Sequence, residues 1–209
     1  ETVLVDKANS VVGSLQDLNR TFGDANITLT NPSASPSGGT WSYSSSNSNV
    51  ATVTGNTISL VGGGTAVING VYAASDSANY NDANVSFTLT VAKASQTIDF
   101  SAISDQILPT GTISVSPTTS AFGLSVTVTS ATLSVCTVAG GQVNFIAVGT
   151  CTLTASQSGN ASFNSATQVS RSFAVSRGAL IVNPTLSFTS MPFGGTAPIA
   201  SFTTSGLVG

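Results

Sequence analysis

The chain has 209 residues, of which only five are Lys or Arg and eight are Asp or Glu, and its formal net charge is −3. This charged fraction of 6% is far below the roughly 25% of a typical soluble domain. So few basic residues cannot neutralise a run of phosphates, so no nucleic-acid partner is expected. No apolar stretch approaches the roughly 18 residues that a spanning helix needs, so no membrane insertion is expected. The chain has no histidine, which excludes Ser-His-Asp and Cys-His catalytic arrangements. We therefore expect that the protein is not an enzyme.

In chain order the local pattern is β throughout, because short stretches alternate apolar and polar residues between Ser, Asn, Gly and Pro clusters. The stretches are ATVTGNTISLV (51–61), FTLTV (87–91), SVTVTSATL (125–133), CTVAGGQVNFIAV (136–148), CTLTAS (151–156) and SFAV (172–175). The Gly-Asn and Gly-Gly pairs predict hairpins. No long window has helical spacing. About seven short strands in about 85 residues are typical of a small antiparallel sandwich.

An internal repeat organises the chain. Ala51 and Ala66 recur 85 residues later as Cys136 and Cys151. The other pairs at this spacing are Trp41 with Val126, Tyr43 with Val128, Val50 with Val135, Val53 with Val138, Ile58 with Val143 and Leu60 with Phe145. A position that accepts alanine in one copy and cysteine in the other is expected to serve packing and not chemistry. ANYNDA (78–83) aligns with ASFNSA (161–166) after a shift of two residues.

The flanks of the two copies extend this pattern. ETVLVDKAN (1–9) resembles FTLTVAKAS (87–95) and FAVSRGA (173–179), and FGGTAPI (193–199) resembles FGDANIT (22–28). The chain is therefore interpreted as part of a longer tandem array. The predicted segments are 1–6 as the last strand of a preceding repeat, 7–92 as repeat 1, 93–176 as repeat 2 and 177–209 as the start of a third, incomplete repeat.

Residues 135–175, VCTVAGGQVNFIAVGTCTLTASQSGNASFNSATQVSRSFAV, resemble the bacterial immunoglobulin-like (Big-type) repeat of large surface and secreted proteins. The first copy departs from the family pattern, because alanines replace both cysteines and GVYAASDSANY (70–80) replaces the Gln-x-Gly-Asn loop. The resemblance implies an all-β fold of tandem immunoglobulin-like antiparallel β-sandwiches of about 85 residues each. It also implies a spacer role that depends on no catalytic residues.

The two cysteines are interpreted as a disulfide. If the hairpin closes on Gly140 and Gly141, then Cys136 and Cys151 lie across adjacent strands or between neighbouring loops, within bridging distance. Such a bridge contributes about 3 kcal/mol and places the protein in an oxidising compartment. The alternatives are two free buried thiols, or a metal or redox site. Two thiols without histidine cannot complete a tetrahedral zinc site.

Two further groups of residues are candidate binding sites. Trp41 and Tyr43 could stack a sugar, although the alternative is that at least one fills the core and the other covers a sheet face. The loop SDSANYND (75–82) offers oxygen ligands for calcium, the only cofactor considered. Its candidate ligands are Asp76, Asn79, Asn81 and Asp82. The matching loop SGNASFNS (158–165) lacks both acids, which favours a solvated turn.

The leading hypothesis for function is a structural spacer in the stalk of a long extracellular protein, a bacterial surface adhesin, whose partners are the neighbouring immunoglobulin-like repeats of the same chain. The alternative is a binding module for carbohydrate or a cell-surface protein, on a bacterial cell surface or a phage virion. A further alternative is an accessory domain of a secreted polysaccharide-degrading enzyme. All three place the protein outside the cell.

Overall fold

The computed structural model describes residues 5–108, 111–179, 181–185, 193 and 201–205. These residues form an all-β structure without helices, which confirms the predicted fold class at that level. Within them there is accordingly no helix of the length and hydropathy that crossing a bilayer requires. The chain divides into two compact units. The first comprises Glu1–Thr97 with Ser158–Ala166, and the second comprises Ile98–Gln157 with Thr167–Gly209.

The first unit is built on a four-stranded and a three-stranded sheet. Its described strands are β1 (Ala8–Asn9), β2 (Val11–Val12), β3 (Leu18–Thr21), β4 (Ile27–Thr28), β5 (Ala34–Ser35), β6 (Thr40–Ser45), β7 (Ala51–Thr54), β8 (Thr57–Leu60), β9 (Gly64–Ala73), β10 (Tyr80–Asn81) and β11 (Ala83–Ala92). The four-stranded sheet has the order β3-β11-β9-β6 and the three-stranded sheet the order β4-β8-β7. Two short pairs, β1 with β10 and β2 with β5, complete the unit.

The second unit repeats this arrangement. Its described strands are β12 (Ile98–Asp99), β13 (Gln106–Leu108), β14 (Ile113–Ser114), β15 (Thr118–Thr119), β16 (Thr127–Ser130), β17 (Cys136–Ala139), β18 (Gln142–Phe145), β19 (Gly149–Ser156), β20 (Val169–Arg177), β21 (Ile181–Thr185) and β22 (Ser201–Ser205). The sheet orders are β13-β20-β19-β16 and β14-β18-β17. The antiparallel pairs β12–β15 and β21–β22 stand apart from them.

The core of the first unit follows from the alternation of its long strands. On β9 every second residue from Ala66 to Tyr72 is buried, whereas Val67 and Val71 between them are exposed. A strand presents successive side chains to opposite faces, so one face of β9 packs inward. The buried residues of this core are Leu29, Val50, Ala51, Ile58, Ala66, Ile68, Phe87, Leu89 and Val91. Fully burying each large apolar side chain contributes roughly 1.5–3 kcal/mol.

Both predicted hairpins are confirmed. β7 and β8 pair from Ala51 with Leu60 to Thr54 with Thr57, which leaves Gly55 and Asn56 as a two-residue loop. In the second unit Gly140 and Gly141 form the loop between β17 and β18, with φ values of +58° and +78°. Two-residue loops of the primed types need positive φ because their twist must match that of the strands. Glycine adopts that region without steric cost.

The two units share their strand register as well as their sheet order. Ala51 pairs with Leu60 on the neighbouring strand, and its counterpart Cys136 pairs with Phe145. The same correspondence holds for the pairs Ala66 with Leu89 and Cys151 with Phe173. All four of the matching alanine and cysteine residues are at most 2% exposed. The internal repeat of the sequence therefore corresponds to equivalent core positions.

The four-stranded sheets differ from the predicted antiparallel arrangement at one edge. β3 pairs with β11 in parallel, and β13 pairs with β20 in parallel, whereas the other neighbours in the four-stranded sheets are antiparallel. A parallel pair needs a long crossover connection. The strands β3 and β11 have the rest of the first unit between them, which supplies that connection. Both four-stranded sheets are therefore mixed.

The predicted segments at the chain ends lie largely outside the described residues. Residues 1–4 of the segment 1–6 and most of 177–209 are among those not described, and of FGGTAPI only Phe193 is described. The division into segments therefore stays a prediction.

Candidate functional site

The disulfide joins the two sheets of the second unit. Cys136 lies on β17 and Cys151 on β19, and their Cα atoms are 5.7 Å apart. The expected placement across adjacent strands or between neighbouring loops was wrong, because β17 and β19 belong to different sheets. The chain crosses from one sheet to the other between β18 and β19, so the two cysteines meet across the core. The described residues include no free cysteine.

The disulfide is enclosed by the core. Both cysteines are fully buried, and their strand partners Phe145 and Phe173 make an edge-to-face contact with ring centroids 6.0 Å apart. The Ser130 hydroxyl lies 3.3 Å from the Cys136 Sγ atom. A bridge that is shielded from solvent in this way is inaccessible to reductants while the unit is folded. Its role is structural.

Trp41 and Tyr43 lie side by side on β6. Their rings are 5.9 Å apart with 7° between the planes, and both side chains are half-buried. Tyr43 packs against the core of the first unit, as expected for at least one of the pair. Trp41 does not cover the opposite sheet face, because residues two apart on a strand point to the same face. The neighbouring aromatic residue Tyr72 is buried: it is 1% exposed, and its ring centroid lies 5.3 Å from that of Trp41.

Sequence reasoning missed Tyr72, although the alternation of β9 from Ala66 through Ile68 carries the signal. The Tyr72 hydroxyl donates a hydrogen bond to the Pro36 carbonyl at 2.5 Å and accepts one from the Gly39 amide at 2.9 Å. A buried phenol needs such partners because an unpaired hydroxyl would be costly to desolvate. Tyr72 therefore holds the chain that leads into β6 and so fixes the position of Trp41.

Trp41 and Tyr43 form one wall of an open cleft of about 620 Å³, called the aromatic cleft below. Its lining residues are Thr28, Leu29, Thr30, Asn31, Trp41, Tyr43, Gly55 and Asn56. The Tyr43 hydroxyl donates to Asn31 Oδ1 at 3.1 Å, and partial burial raises the pKa of Tyr43 above its ordinary value. Ligand sites commonly have volumes of about 300–1,000 Å³ and combine aromatic walls with a few polar groups.

The oxygen-rich loop 75–82 uses its acids to fix its own backbone. Asp76 accepts hydrogen bonds from the side-chain and main-chain nitrogens of Asn79, at 2.8 and 3.2 Å. The side-chain donor of Asn79 is the main reason that the pKa of Asp76 is lowered. Asp82 accepts from the Ala74 amide at 3.0 Å, and the Asn81 side chain donates to Asn9. Within the described part of the chain, no three acidic, cysteine or histidine side chains form a metal-binding group.

These contacts predict that calcium does not stabilise the protein. The oxygen atoms of Asp76 and Asp82 already accept local hydrogen bonds, and a calcium ion needs six to eight oxygen ligands at one point. We expect the melting temperature to be the same, within error, in millimolar calcium and in a chelator, as measured by calorimetry. A calcium-dependent rise that is abolished by Asp76→Asn and retained in Asp24→Asn would contradict this prediction.

No protein-family model and no curated protein matches the sequence. Solved structures that the chain matches include domains 1–6 of the surface-layer protein SbsC, with 16% identity and a TM-score of 0.34. Extracellular repeats EC22–24 of mouse cadherin-23 have 13% identity and a TM-score of 0.34. The N-terminal eight immunoglobulin domains of Down Syndrome Cell Adhesion Molecule have 11% identity and a TM-score of 0.36.

These similarities cover 79%, 80% and 91% of the present chain, respectively. In the other direction they cover 29%, 63% and 26% of the similar chains, so this chain spans less than two thirds of each.

Proposed function

We propose that the protein is a structural spacer, a segment of tandem immunoglobulin-like sandwich units of about 85 residues in the stalk of a bacterial surface adhesin. The observation that carries this proposal is the correspondence of the two cores. Equivalent, fully buried positions hold alanines in the first unit and a disulfide in the second. Positions that vary in this way serve packing, and the proposal therefore assigns no catalytic step to the chain.

The disulfide supports an extracellular location. Disulfides persist in oxidising environments and are rare in the cytosol, where thiols are kept reduced. The composition is suited to the same environment, because only five Lys or Arg residues in 209 leave few sites for trypsin-like proteases.

The parallel strand pairs β3–β11 and β13–β20 support a mechanical role. Leu18–Thr21 run parallel to Leu89–Ala92, and Gln106–Leu108 run parallel to Val175–Arg177. When such a unit is pulled from its two ends, the two strands of its parallel pair are drawn in opposite directions along their own axes once the short strands outside the pair have detached. Their hydrogen bonds then share the force, whereas an antiparallel terminal pair would separate one bond at a time. This geometry suits a stalk that is held under tension.

Pulling single molecules tests the spacer function. We expect two unfolding steps in the full chain, one for each compact unit. The intact disulfide prevents extension of the chain between Cys136 and Cys151, whose sequence separation is 15. Extended chain spans about 3.3–3.6 Å per residue, and the folded unit already separates the two Cα atoms by 5.7 Å. If the protein is reduced while unfolded and then refolded, one step, and only one, should therefore lengthen by about 45 Å. The matched control is Cys136→Ala with Cys151→Ala, in which that longer step should occur without reductant. A single low-force step for the whole chain would contradict the spacer function.

A second function, carbohydrate binding at the aromatic cleft, is favoured by the nearly parallel rings of Trp41 and Tyr43. The electron-rich faces of aromatic rings attract the polarised C–H groups of a sugar ring. The second repeat has Val126 and Val128 at the corresponding positions, so it provides a control for this hypothesis.

The test of this second function compares the protein with its Trp41→Val, Tyr43→Val variant. For a sugar-binding cleft we expect glycan-array binding and a tryptophan fluorescence change on titration, with array binding lost in the double variant at an unchanged fold by circular dichroism. Equal binding by both proteins, or binding by neither, would remove the cleft as a carbohydrate site.

A further inference from the structure

Residues 158–166 follow the second repeat's strand β19 in sequence, yet they are part of the first compact unit. The Gly63 amide donates to the Ala161 carbonyl at 3.0 Å. Ala94 lies two residues after the end of β11, in the segment that connects the two repeats and is called the junction below. Its amide donates to the Ser162 carbonyl at 2.9 Å. Main-chain hydrogen bonds therefore tie this loop to both the first repeat and the junction.

An aromatic contact accompanies these hydrogen bonds. The Phe163 ring packs edge-to-face on Phe22 at 5.4 Å, with 79° between the planes. Gly63 allows the loop to approach, because a Cβ atom there would lie only 2.8 Å from the Ala161 carbonyl oxygen. The surface that the loop contacts thus consists of the Phe22 ring, the Gly63 amide and the backbone at Ala94.

The first repeat forms the same arrangement between its own junction and loop. Ala8 donates to the Asn79 carbonyl at 2.9 Å, which corresponds to the bond from Ala94 to Ser162. Ala8 pairs in parallel with Tyr80, just as Ala94 pairs in parallel with Phe163. The loop 75–83 therefore packs against residues 8–9 in the same way as the loop 158–166 packs against Ala94.

The two loops differ in the partners of their aromatic ring and of one carbonyl group. Tyr80 occupies the place of Phe163, and the Ala78 carbonyl occupies the place of the Ala161 carbonyl. Across the ranges 5–108 and 111–179, no aromatic ring contacts Tyr80 and no amide donates to the Ala78 carbonyl. The face formed by Ala78, Tyr80 and residues 8–9 therefore presents a carbonyl acceptor and an aromatic ring, and the described chain supplies neither an amide donor for the carbonyl nor a ring to contact Tyr80.

We propose that this face is a docking surface for another sandwich unit of the same repeat type, which precedes it in a tandem array. That unit would present an apolar side chain at the Phe22 position to the Tyr80 ring. It would also present a glycine amide at the Gly63 position to the Ala78 carbonyl. This inference rests on the spacer function proposed above, and it identifies the residues that connect one unit to the next.

The first test transfers the chemistry of the first loop to the second loop in the full chain. Ser162→Asn, Phe163→Tyr and Ser165→Asp convert ASFNS (161–165) to ANYND (78–82). We expect hydrogen exchange at the Gly63 and Ala94 amides to remain within about threefold of that in the unmodified protein. The matched control carries Phe163→Ala in place of Phe163→Tyr and should exchange at least tenfold faster at Gly63. Equally fast exchange in both variants would overturn the inference.

The second test inserts another copy of residues 7–92 between Ala92 and Lys93. We expect the Gly63 amide to be protected in both copies, and Tyr80→Ala in the inserted copy should remove the protection only in the copy ahead of it. An added unfolding step under force without that protection would overturn the docking surface and leave the spacer function standing. Absence of an added unfolding step would count against both proposals.

Discussion

Replacing Cys136 and Cys151 together by alanine is expected to lower the free energy of unfolding of the second unit by about 3 kcal/mol, the chain-entropy value for a loop of this length. The loss arises mainly in the unfolded state, because the 15-residue separation between the two cysteines is no longer closed. The folded core should tolerate the change, since Ala51 and Ala66 occupy the same positions in the first unit. Hydrogen exchange at the β19 amides, recorded over a denaturant titration, measures this decrease in the free energy of unfolding.

The first unit supplies the matched control for this prediction. Ala51→Cys with Ala66→Cys places two thiols at the equivalent positions across its sheets, and we expect them to form a disulfide that raises the stability of that unit by a similar amount, about 3 kcal/mol. Thiol titration of the unfolded, unreduced variant should then find no free thiol. Two free thiols would show that the equivalence of the two cores is limited to their strand register.

The sequence predicted those parts of the fold that depend on neighbouring residues. The Gly55-Asn56 and Gly140-Gly141 loops could be predicted because both hairpins need positive φ at defined positions, and glycine adopts it. The burial of Ala51 and Cys136 followed from their matching places in the repeat. In each of these cases the information lies within a few residues or in the comparison of the two copies.

The remaining features depend on contacts between distant parts of the chain. Alternation shows that Cys136 and Cys151 point inward but not which sheet each strand joins, so the bridge between sheets was not predicted. The parallel pairing of β3 with β11 was missed for the same reason. At the candidate cleft, the stacking of Trp41 on Tyr43 depends on ring orientation, which sequence spacing alone does not determine.

Ile68→Ala is expected to destabilise the first unit by about 2–5 kcal/mol, the usual range when a fully buried aliphatic side chain is truncated. Ile68 is 0% exposed and lies at the centre of β9, whose neighbours are β6 and β11. Removing its side chain leaves a cavity that the close-packed strands around it cannot fill. In chemical denaturation, the transition of the first unit should therefore move to a lower denaturant concentration, and that of the second unit should not move.

Hydrogen exchange in Ile68→Ala also tests whether residues 158–166 unfold with the first compact unit or with the second repeat, to which they belong by sequence. Because residues 158–166 belong to the first unit, their amides should lose exchange protection together with those of β9, although they lie in the second repeat by sequence. The amides of β19 should keep their protection. Leu153→Ala, at the position equivalent to Ile68 and also 0% exposed, should give the reverse pattern, with β19 affected and residues 158–166 spared. Loss of protection at 158–166 in Leu153→Ala alone would show that this loop is held by its own repeat and not by the Gly63 and Phe22 contacts.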